Sequence, residues 1–81
     1  QRLRAVALLR TGATTEAVAA YRALVADHPD DAQLWLGLGV ALEASAAEAD
    51  AVRYAFRQSL QLSRDAALRE VAQSHLDAHR A

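Results

Sequence analysis

The chain matches itself at an offset of 34 to 35 residues. Glu16-Ala17-Val18 returns as Asp50-Ala51-Val52, and Ala7-Leu8 as Ala41-Leu42, both 34 positions on. Ala20-Tyr21-Arg22 returns as Ala55-Phe56-Arg57, 35 positions on. A unit of this length is one supersecondary element. It cannot bury its apolar face alone, so copies must stack. The slip of one residue falls between Trp35 and Phe56 and leaves the register of the second copy open.

The unit is helical. Of the 81 residues, 21 are Ala and 12 are Leu, and Ile is absent, a mixture that loses least on entering a helix. Apolar residues recur three and four apart in five stretches. The first runs from Leu3 to Arg10 and stops at Thr11-Gly12, where Gly can take the left-handed conformation. The second is capped by Thr14 or Thr15, carries Ala17, Val18, Tyr21, Leu24 and Val25, and ends before Pro29. Asp30 with Gln33 resembles a capping box for the third, which carries Leu34, Trp35, Leu38, Ala41 and Leu42. Ser45 with Glu48 resembles another for the fourth, with Ala51, Val52, Ala55, Phe56, Leu60 and Leu62. Ser63 or Asp65 caps the fifth, where Leu68, Val71, Ala72 and Leu76 share a face. Connections of about 2–5 residues make successive helices antiparallel neighbours.

These residues resemble tetratricopeptide repeats, with their pattern W-x2-L-G-x2-Y, then A-x3-F, then P. Trp35, Leu38, Gly39 and Leu42 match its first part. Ala17, Tyr21 and Pro29 match its second in the preceding copy. The second copy departs from the pattern, with Ala46-Ala47 at the inter-helix Gly and Arg64 at the Pro. The resemblance implies an all-α superhelix of antiparallel hairpins with five helices. It divides the chain into a truncated first repeat (1–31), a second repeat (32–66) and a capping helix (67–81), a fragment of a longer protein. Small residues, Gly39, Ala41, Ala17 and Ala51, are expected where helices approach closely. Trp35 is expected to fill the space between units.

Composition narrows the function. Nine Arg stand against ten Asp plus Glu, net −1, so no basic field exists to condense onto nucleic acid. Arg53 and Arg57 share a helix face, but Glu48 and Asp50 accompany them. Cys is absent, which removes thiolate chemistry and Cys-bound zinc. No apolar run approaches the roughly 20 residues that cross a bilayer, so no membrane insertion is expected. The absence of Lys and Asn is read as GC-rich, bacterial codon usage. The compartment is left open between bacterial cytoplasm and periplasm, with a soluble chain expected.

No catalytic arrangement is legible. His75 and His79 lie four apart, a spacing that suits a shared metal, but without a third ligand they read as surface or capping histidines. Asp30, Asp31, Glu48 and Asp50 stand at helix starts and read as caps. Gly37 and Gly39 lie inside a helix and form no phosphate loop. No enzyme activity, metal or cofactor is expected.

What remains is surface. In repeats of this family the first helix of each hairpin lines a concave groove, which the resemblance carries to Arg2, Val6 and Leu9, to Gln33, Leu36, Val40 and Glu43, and to Arg69, Gln73 and Leu76. Members that hold the C-terminal carboxylate of chaperones use Lys and Asn, which this chain lacks. The expected guest is an amphipathic helix or an extended apolar segment of a partner protein. Alternatives are pairing with a second copy, and a non-catalytic accessory role in a larger enzyme or in a bacterial secretion or pilus-assembly protein.

Overall fold

A computed structural model describes residues 2–79. Five helices follow one another: α1 (Arg2–Arg10), α2 (Thr14–Asp27), α3 (Ala32–Ala44), α4 (Ala49–Leu62) and α5 (Ala66–Ala78). No strand occurs among the described residues. Each helix packs on its neighbours in sequence.

The helix ends obey local chemistry, with three shifts from expectation. Gly12 ends α1 at φ +85°, as the sequence implies. The N-cap of α2 is Ala13, without a side-chain bond, so neither Thr14 nor Thr15 caps it. Asp31 rather than Asp30 caps α3, because Asp31 is the residue whose carboxylate reaches the N–H groups of Gln33 (3.0 Å) and Leu34 (3.4 Å). Ser45 belongs to the end of α3, its hydroxyl donating to the Leu42 carbonyl, and Glu48 precedes α4 without a capping bond. Asp65 caps α5 by accepting from Ala67 N–H, while Ser63 Oγ accepts from Asp65 N–H.

The slip in register lies in the turn before α4. Helix α1 ends at Arg10 and α3 at Ala44, 34 apart; α2 begins at Thr14 and α4 at Ala49, 35 apart. The longer connection holds its extra residue with Ala46 at φ 58°, a left-handed conformation that a non-glycine adopts at some cost. Consequently the counterpart of Ala17 is Val52, not Ala51. Ala17 and Val52 are both buried, whereas Ala51 is half-buried.

The core runs along α2, α3 and α4, with Tyr21, Leu34, Leu38, Leu42, Val52 and Phe56 at its centre. Phe56, not Trp35, is the largest fully buried side chain. Trp35 is half-buried. Its indole N–H donates to the Pro29 carbonyl (2.8 Å), and its ring meets Tyr54 edge-on at 5.7 Å. It thus ties the turn between hairpins to α4. Buried Ser59 donates to the Ala32 carbonyl at 2.9 Å, which satisfies its hydroxyl inside the core.

Both helical glycines of α3 receive aromatic rings. A Cβ on Gly37 would lie 2.3 Å from Tyr21 Cε1, and one on Gly39 would lie 2.8 Å from Phe56 Cε1. The rings come from α2 and α4, so α3 is seated between the preceding hairpin and its own hairpin partner.

Asp31 joins α1 to α3, since its carboxylate also pairs with Arg2. Burial pushes this carboxyl up, but Arg2 and the N–H groups of Leu34 and Gln33 together hold it below the usual carboxylate range. Its contribution is therefore present above the ordinary aspartate value and is lost as pH falls through the lowered native one. Asp31→Ala is expected to cost about 1 kcal/mol, read as a lower urea midpoint at neutral pH.

Candidate interaction groove

One hollow of about 290 Å³ opens between the odd-numbered helices. Arg2 and Val6 line it from α1, Gln33, Leu34 and Leu36 from α3, Tyr21 from α2 and Leu68 from α5. Apolar side chains make most of its wall. Arg2, held by Asp31, and Gln33 provide the polar groups. Tyr21 is buried, and burial raises its phenol above the ordinary tyrosine value. Its ring is fixed against Gly37.

Of the residues carried over from the family, Arg2, Val6, Gln33 and Leu36 come together here. Leu9 and Val40 are half-buried and pack against the core, outside this lining. Glu43 is bound to His75 and His79 and stands apart from the hollow. On α5 the three expected positions do not line it. Arg69 bonds the carbonyls of Leu60 and Ser63 at the end of α4, Gln73 donates to Asp77, and Leu76 packs on the core. Leu68 takes their place.

A signal for Leu68 exists in the sequence. The N-caps Asp31 and Asp65 are 34 apart, and the inward residues follow at the same offset. Leu34, Leu38, Ala41 and Leu42 correspond to Leu68, Ala72, His75 and Leu76, all buried or half-buried. Val71 does not share this face and is 44% exposed.

A second hollow, of about 340 Å³, lies between α2, α3 and α4, with Trp35, Tyr54 and Arg22 at its edge. Tyr54 is 53% exposed. The sequence alone did not mark it.

His75 and His79 both face Glu43, a partner that lies more than thirty residues earlier on α3. Among the described residues no group of three or more His, Cys, Asp or Glu has the geometry to hold a metal ion. Arg53 pairs with Asp50 and donates to the His79 carbonyl, so it is committed within the fold. No described helix is long and apolar enough to cross a membrane.

Successive hairpins at a 34-residue rhythm, glycine seats for aromatic rings and an apolar hollow between first helices define a helical-repeat protein. The tetratricopeptide repeat profile matches residues 1–41, just over half of the 81. The chain belongs to the tetratricopeptide repeat family. Repeats of this family generally mediate protein–protein interaction, and the family is typically a non-catalytic scaffold. Comparisons with curated proteins and with solved structures found no match.

Proposed function

We propose that this chain is a scaffold that holds a helical or extended apolar segment of a partner protein in the hollow between α1, α3 and α5. The observation that carries this reading is the meeting of Val6, Leu36 and Leu68, from three different helices, at one concave wall. Leu36 is half-buried, and a carboxylate there would put a charge into the apolar wall. The partner is a protein whose segment presents apolar side chains at helical or extended spacing.

The test is a displayed peptide library selected on the wild-type chain. Selected peptides are then titrated against Leu36→Glu. Binding is expected to weaken at least about ten-fold, with the helical circular-dichroism signal retained. Peptides that bind the variant unchanged would move the guest elsewhere, and loss of the helical signal would make Leu36 a core residue.

A further inference from the structure

Helix α5 is held by little apolar surface. Ala72 is its buried residue, Leu68 and Leu76 are half-buried, and Val71 faces solvent. Its polar attachment is more extensive. His79 Nε2 lies 2.6 Å from Glu43 Oε2, and His75 Nδ1 lies 3.0 Å from Oε1 of the same carboxylate. The His75 ring lies flat on Phe56, with centroids 4.6 Å apart and planes 8° from parallel. Arg53 Nη1 donates to the His79 carbonyl at 2.8 Å. Thirty-four residues earlier, Glu43, His75 and His79 correspond to Leu9, Ala41 and Ser45, so the preceding copy has neither the carboxylate nor the imidazoles. The arrangement is particular to α5.

We propose that Glu43, His75 and His79 form a proton-operated clasp, which docks α5 on α3 more firmly in mild acid than in mild alkali. An ionised carboxylate only accepts hydrogen bonds, so each ring must present an N–H at the nitrogen facing Glu43. A neutral ring makes an ordinary bond there. A protonated ring makes an ion pair, and charge-assisted bonds are roughly twice as strong. Imidazole is the side chain that ordinarily gains its charge between about pH 5 and 8.

Glu43 favours this sign, and the nearby cation Arg53 opposes it but is itself paired with Asp50. Glu43 faces the rings from α3. From α4 come Arg53, which binds a backbone carbonyl, and Asp50, which pairs with Arg53. On α5 itself Asp77 is held by Gln73. A proton on either ring turns its bond to Glu43 into an ion pair, so docking is firmer where the rings are charged. It is lost again when Glu43 is neutralised. Burial pushes the Glu43 carboxyl up, but the bonds from His79 and His75 outweigh burial and hold it below the usual range. That loss therefore comes only in stronger acid.

Amide hydrogen exchange across α5, corrected for the intrinsic effect of pH, reads the docking directly. Protection at pH 5.5 is expected to exceed that at pH 8 by about three- to five-fold. In Glu43→Gln the difference should vanish while the helical signal remains. If that variant does not fold, His75→Gln combined with His79→Gln serves, and the difference should vanish there too. Equal protection at the two pH values in the wild type would overturn the clasp. A pH difference that survives in the folded variants would overturn it as well.

Discussion

Phe56→Ala is expected to remove about 3–5 kcal/mol of stability, the cost of deleting a fully buried aromatic ring. A chain of this length has roughly 4–12 kcal/mol in total. The urea midpoint should therefore fall by a large fraction of its value. Three helices explain the size of the effect. Phe56 leaves α4, seats its ring against Gly39 of α3 and supports His75 of α5. Truncation leaves a void against α3 and removes the platform under His75. Trp35→Ala is the informative comparison. Trp35 is half-buried and meets Tyr54 only by its edge, so the loss there should be smaller. Urea denaturation followed by circular dichroism ranks the two. A larger loss at Trp35 would transfer the central packing role to the turn between hairpins.

Gly37→Ala is expected to destabilise, although alanine ordinarily improves a helix interior by about 1 kcal/mol. The new methyl would sit 2.3 Å from a ring carbon of the buried Tyr21, so the ring must leave its seat. Overpacking of this kind costs about 1–3 kcal/mol and outweighs the propensity gain. Tyr21→Leu should relieve it. The double variant is expected to lose less than the sum of the two singles, since the pair shares one contact. Additive losses would show that Gly37 acts through the helix backbone instead of through the ring. The effect also reaches the groove, because Tyr21 and Leu36 line the same hollow.

The helices and their stacking were legible because apolar spacing and a 34-residue period both speak through the local chain. Helix starts were less so. Asp30 and Asp31 are chemically alike, and only the backbone conformation decides which carboxylate meets the free N–H groups. The register of α4 was hidden by composition. Ala44, Ala46, Ala47, Ala49 and Ala51 crowd the second turn, so neighbouring alignments look equally good until Val52 is seen in the core. On α1 and α3 the family positions led to four residues of the hollow. On α5 the loose alignment chose Arg69, whose guanidinium instead satisfies carbonyls at the end of α4. The Asp31 to Asp65 offset points to Leu68. The bond from Glu43 to the two histidines had no sequence signal, because spacing within one helix says nothing of a partner on another.

Gly37 and Gly39 are two residues apart, which places them about 200° apart around the axis of α3. Two rings therefore grip this helix from nearly opposite sides, like bearings on an axle. Turning α3, or sliding it by one residue, would drive a side chain into both rings at once. A single rod keyed in this manner fixes its phase against the helix on either side, α2 and α4.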